Sequence, residues 1–151
     1  MLAKKQTQAT YSLRGAEIRR AWQVIDAAGR PLGRVAAQAA SLLIGKHKAT
    51  FSPHLDDGDS VIIVNADQVR FTGGKPEKKV YYRHSQYPGG LKSITLGTLF
   101  GRRPVRVLEI AVRGMLPHNR LGSQMYRRLR VYGGAEHPHG AQVAQGTKET
   151  E

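Results

Sequence analysis

The stretch WQVIDAAGRPLGRVAAQAASLLIG, residues 22–45, followed after a polar loop by SVIIVN, residues 60–65, decides the fold. Residues 22–26 read as a short strand, and Ala28-Gly29-Arg30-Pro31 reads as a turn, since proline is tolerated in the first turn of a helix. From Leu32 to Ile44, Val35, Ala39, Leu42 and Leu43 recur at helical spacing, and Gly45 is a natural C-terminal stop. The run at residues 60–65 is continuously apolar and rich in β-branched residues, the pattern of a buried parallel strand. Strand, helix and strand with short connections predict a right-handed βαβ unit, and therefore an α/β sandwich.

Outward from this unit the signals are weaker. Residues 69–72 and 79–84 are expected to add strands around the turn Gly73-Gly74-Lys75-Pro76. In the second, Lys79, Tyr81 and Arg83 share one face and Val80, Tyr82 and His84 the other; Tyr81 is read as a contact residue and Tyr82 as packing. From Pro104 to Met115, Val105, Leu108, Val112 and Met115 fit one helical face. Arg102, Arg106, Glu109 and Arg113 fall opposite, with Glu109 four residues before Arg113 and within pairing reach. A further helix over residues 119–129 is expected to set Leu121, Met125 and Leu129 on one side and Arg120, Gln124, Arg127 and Arg130 around the other.

At 151 residues the chain has the length of one domain with a core of its own. The expected division is a basic N-terminal arm at 1–20, a single α/β domain at 21–140 and a flexible tail at 141–151. Lys and Arg number 24 against 11 Asp and Glu, a formal charge of +13, which exceeds what solubility needs and calls for a polyanionic partner. A membrane is a poor candidate, because the most apolar stretch, residues 35–44, is about half the length of a spanning helix. The arm lacks the apolar run of a secretory signal and only loosely resembles a transit peptide. Without cysteine the chain can form neither disulfides nor thiolate metal sites.

The charge is also grouped. Residues 26–69 hold four bases and five acids, whereas residues 70–106 hold nine bases and one acid, and residues 113–130 five bases and no acid. A solvated face normally mixes signs, so acid-free arginine faces interleaved with aromatics point to nucleic acid, whose phosphates match the guanidinium fork. The expected contacts begin with Arg34, Lys46, His47 and Lys48 near the first helix. They continue with Lys75, Lys79, Tyr81, Arg83, His84 and Lys92, then Arg102, Arg103 and Arg113, and finally Arg120, Arg127, Arg128 and Arg130. The face formed by Arg120, Arg127 and Arg130 is expected to carry phosphate contacts.

Catalytic readings find less support. The glycines at 29–33 and 72–75 fit neither a Walker loop nor G-x-G-x-x-G and read as turns. Asp56, Asp57 and Asp59 invite a metal-dependent RNA-processing activity, but Gly58 among them fits a loop turn better. Replacing the three by Asn is accordingly expected to change RNA binding little. His47, His54, His137 and His139 have no zinc-type spacing, and nothing marks an activated serine. No catalytic residue, metal site, cofactor or small-molecule substrate is expected. A free regulatory RNA binder is the remaining alternative.

The motifs themselves carry a resemblance. WQVIDAAGRPLGRVA from Trp22, GKHKATFSPHLDDGD from Gly45, VNAD from Val64, YYRHSQYPGGLKS from Tyr81, RRPVRVLEIAVRGMLPHNRLG from Arg102 and RLRVYGGAEHPH from Arg128 stand in one order. Together they resemble the bacterial large-subunit ribosomal protein thirteen family over residues 11–142. The resemblance implies a three-layer α/β/α sandwich around a mostly parallel four-stranded sheet. It also implies a cytoplasmic, ribosome-bound, non-enzymatic protein that contacts 23S ribosomal RNA and neighbouring large-subunit proteins and acts early in subunit assembly. By resemblance, residues 45–48, 81–85 and 114–122 lie near RNA. Two positions depart from the family pattern: Ser123, commonly basic, and Val105, commonly acidic.

Overall fold

The structure, a computed structural model, describes residues 13–147. Trp22–Asp26 (β1), Leu32–Ile44 (α1) and Ser60–Val64 (β2) form the expected strand, helix and strand. β2 pairs in parallel with β1 on one side and with Leu129–Val131 (β5) on the other, giving the order β1-β2-β5. Every residue of β2 is buried, as a central parallel strand covered on both faces must be.

The four-stranded sheet is not what forms. Val80–His84 (β3) pairs antiparallel with Leu91–Thr95 (β4) as a separate two-stranded sheet, and residues 69–72 contribute only one isolated bridge, Arg70 to Pro31. The reason is composition. β3 and β4 carry Arg83, His84, Lys92 and Ser93 among their apolar residues, so neither can join a sheet covered on both sides. The remaining elements are Lys75–Lys78 (α2), Leu96–Arg102 (α3), Pro104–Met115 (α4), Arg120–Tyr126 (α5) and Gly140–Thr147 (α6).

The expected helix over residues 119–129 also divides. α5 stops at Tyr126 and the chain enters β5, where the Val61 amide donates to the Arg128 carbonyl at 3.1 Å and the Tyr132 amide to the Ile63 carbonyl at 2.8 Å. Met125 and Leu129 are buried in either conformation, so helical spacing alone does not decide between them. The open edge of β2 does, because its buried backbone groups need partners.

One face of the parallel sheet, with Ile25, Val61, Ile63 and Leu129, packs against α1, α4 and α5 through Val35, Ala39, Leu43, Leu108, Val112 and Met125. On the opposite face Trp22 stacks on His139 with ring centroids 5.1 Å apart, and the Tyr132 hydroxyl bonds His139 Nε2 at 2.9 Å. These contacts bring the segment before α6 onto β1. Residues 140–147, most of them assigned to a flexible tail by composition, thus include a helix. Residues 148–151 of that tail and 1–12 of the arm lie outside the described residues.

Two glycines set the close approach that shapes the loop after α1. Gly45 ends the helix at φ 87°, its amide donating to the Ser41 and Leu42 carbonyls, both at 3.1 Å. A Cβ on Gly58 would lie 1.7 Å from the Leu43 carbonyl oxygen, so the chain passes the end of α1 here only without a side chain.

Each large apolar side chain in this core contributes roughly 1.5–3 kcal/mol over its exposed state. The core draws on α1, α4, α5 and all three parallel strands, and so should order the body without a partner. Calorimetry of the isolated protein is expected to show one cooperative transition with matching calorimetric and van't Hoff enthalpies. A broad, non-cooperative trace would mean that the partner completes the fold.

Candidate nucleic-acid interface

The junction between α4 and α5 builds a basic cavity. Leu116 is buried and anchors the turn, and the Asn119 side chain caps α5 by accepting from the Gly122 amide at 2.8 Å. A Cβ on Gly122 would stand 1.8 Å from the Pro117 carbonyl oxygen, so this glycine lets α5 start hard against the turn. The result is a cleft of about 540 Å³ lined by Arg113, His118, Arg120, Tyr126 and Arg127, with no carboxylate in its lining.

Glu109 does not pair with Arg113 as the four-residue spacing suggests. It pairs with Arg106 at 2.7 Å, on the preceding turn. Arg113 is left without an acidic partner among the described residues, its guanidinium 5.9 Å from the centre of the Tyr126 ring. Burial, with Glu109 nearby, raises the Tyr126 phenol above its ordinary range and keeps it a neutral donor at physiological pH. Ser123 lines the same cleft and donates back to the Asn119 carbonyl at 3.3 Å. Val105 is partly buried against the core, where a carboxylate would be poorly hydrated.

Arg130 does not join this cleft. It sits on β5 between Leu129 and Val131, which point into the helix-covered core, so strand alternation sends it to the other face. There its guanidinium donates to the Arg127 and Leu129 carbonyls at 2.7 and 3.0 Å.

The β3–β4 hairpin is the second basic surface. Arg83 lies opposite Lys92 in the ladder, and together with His84, Ser85 and Gln86 they line a cavity of about 380 Å³. Like charges facing each other across strands are unfavourable unless an anion lies between them. The expected packing of Tyr82 does not occur. Tyr81 turns inward, its phenol raised by burial, whereas Tyr82 is 67% exposed and Tyr87, which sequence reasoning passed over, is 75% exposed. Period-two alternation pairs these side chains correctly but does not say which face meets the body.

Three expected contacts are committed inside the protein. Arg128 forms a two-pronged ion pair with Asp56 and also donates to the Leu43 carbonyl at 3.1 Å, satisfying an orphan group at the end of α1. Lys48 reaches Asp59 at 2.7 Å and Asp57 at 3.7 Å, and donates to the Arg19 and Asp57 carbonyls at 2.5 and 2.7 Å. His47 Nε2 lies 2.8 Å from Asp59, whose other oxygen accepts from the Ala21 amide at 3.1 Å. The aspartates that invited a metal reading therefore each hold a different set of protein donors, with Asp57 and Asp59 buried. The lysine and arginine that looked like phosphate ligands neutralise them.

The other candidates are spread over the surface. Arg34 on α1, Lys46 beyond it, Arg102 at the end of α3 and Arg103 between α3 and α4 are exposed and have no ion-pair partner among the described residues. Lys75 and Lys79 line a third cleft beside Tyr81.

Comparison with known proteins identifies a family. The family described as "Ribosomal protein L13" matches residues 20–138. The chain is similar to the large ribosomal subunit protein uL13 of Symbiobacterium thermophilum, 59% identical over 88% of this chain and 93% of that protein. Its counterpart in Staphylococcus carnosus is 58% identical over 88% and 92%, and that of Aliivibrio fischeri 54% identical over 90% and 96%.

Proposed function

Because the chain belongs to the ribosomal protein L13 family, a family of structural ribosomal components and not of enzymes, we propose that it is held on the large subunit by 23S ribosomal RNA. In this reading it supports early assembly and has neighbouring ribosomal proteins as further partners. The observation that carries the reading is the cleft of Arg113, Arg120 and Arg127, with Tyr126 beside them and no acid in the lining. Guanidinium groups lacking internal partners match phosphate oxygens two at a time, and a neutral phenol adds a hydrogen-bond donor and a stacking surface.

The hairpin extends the interface. Arg83 and Lys92 supply charge, His84 lies beside them, and Tyr82 and Tyr87 supply exposed rings, the combination that grips unstacked bases. The proposed phosphate-facing set is narrower than the charge count suggests. Lys48 and Arg128 act by holding the acidic loop, with His47 beside them, and Arg34, Lys46, Arg102 and Arg103 act as outlying charges.

Crosslinking on assembled large subunits, read by mass spectrometry, is the direct test. Adducts to RNA are expected at residues 113–127 and 82–92 and not at Lys48 or Arg128. A map in which residues 113–127 crosslink only to other proteins would overturn the proposal.

A further inference from the structure

A third cleft, of about 430 Å³, lies where the inner face of β3 meets the start of α1 and the end of α4. Its wall is apolar and aromatic, with Phe71, Tyr81 and Ile110, and Arg70, Lys75 and Lys79 also line it. None of these three bases has an ion-pair partner among the described residues. Lys79 holds its ammonium 5.4 Å from the centre of the Tyr81 ring. The one acid between residues 70 and 106, Glu77, is not part of the lining.

We propose that this cleft receives one unpaired nucleotide of the bound RNA, its base against Phe71 and Tyr81 and its phosphates toward Arg70, Lys75 and Lys79. The inference rests on the RNA-binding reading and adds a site to it. The volume falls in the range of small-ligand pockets. A row of duplex phosphates would use the cations but leave the apolar wall wet, whereas a splayed base covers that wall and brings its own negative charge. The position of Arg70 is built in: its amide donates to the Arg30 carbonyl at 3.0 Å and its carbonyl accepts from Leu32 at 3.1 Å, tying the cationic edge to the start of α1.

Gly33 offers a clean test. It lines the cleft at the start of α1, away from both basic surfaces described above, and a Cβ there meets nothing within 4 Å, so Gly33→Phe places a ring toward this space. The full-length protein is titrated with an RNA hairpin lacking unpaired stem nucleotides and with the same hairpin carrying one bulged nucleotide, in each of the four bases. The wild type is expected to prefer at least one bulged hairpin by about tenfold, and Gly33→Phe to erase that preference while binding the plain hairpin as before. Unchanged thermal unfolding of the variant confirms that it is folded. A wild type without preference, or a variant that keeps it, overturns the inference. So does a variant that loses affinity for both hairpins equally, or one that keeps the preference but binds a neighbouring ribosomal protein less well. If the wild type binds neither hairpin nor large-subunit RNA, the RNA-binding reading itself fails, a result distinct from failure of the cleft.

Discussion

Replacing Asp59 by Ala is expected to destabilise the protein by roughly 3 kcal/mol, the lower end of what breaking a buried ion pair costs. Asp59 is 1% exposed and meets Lys48 at 2.7 Å, His47 at 2.8 Å and the Ala21 amide at 3.1 Å. Removing it leaves the Lys48 ammonium, on a side chain only 19% exposed, with its one other carboxylate 3.7 Å away at Asp57. That residual partner, and the water reaching Lys48, place the expected loss at the lower end. The melting temperature should fall by roughly 6–12 °C for a chain of this size.

Replacing Lys48 by Met in the same protein should recover much of the loss, because the penalty is chiefly that of an uncompensated charge. Urea unfolding of the single and double variants measures both effects. A loss under about 1 kcal/mol for Asp59→Ala would show that the pair is hydrated and incidental, as exposed ion pairs are. Asn at Asp56, Asp57 and Asp59 together, read from sequence as nearly neutral for binding, should likewise destabilise the protein. The three carboxylates anchor residues 19–21 at the base of the basic arm, the end of α1 and Arg128 to one another.

The second large effect concerns affinity. Arg113, Arg120 and Arg127 replaced together by Gln are expected to flatten the dependence of log affinity on log salt by about two to three units, since each phosphate contact releases roughly 0.7–0.9 of a counterion. Arg113 takes the place that sequence spacing assigns to Arg130, because it lines the cleft and Arg130 does not. All three are exposed and none forms an ion pair among the described residues, so thermal stability should barely move. Arg130→Gln alone should change the slope by much less than one unit, its guanidinium being held on backbone carbonyls. RNA titrations across a salt series decide the matter, and an unchanged slope in the triple variant would mean that the cleft faces a protein.

Much of this was legible in local pattern. The helical spacing of Val35, Ala39 and Leu43 and the β-branched run at residues 61–64 set α1 and β2, because a buried face imposes its period on the chain whatever lies further off. The concentration of bases without acids at residues 113–130 likewise marked the segment that lines the acid-free cleft, since a net field depends on composition more than on geometry.

What only the tertiary structure decided are matters of partner and direction. Leu129 entered a strand because β2 had an open edge to satisfy, and Tyr82, not Tyr81, faced outward because the hairpin packs by one particular side. Lys48 and Arg128 were indistinguishable by charge from the arginines of the acid-free cleft. Their carboxylates stand up to 72 residues away along the chain, and only the close passage at Gly58 brings them together. Periodicity and charge are local or summed properties, and a sequence carries them in plain view. Which base meets which acid depends on distances across the fold, because attraction between charges weakens with separation and with intervening water, not with position along the chain.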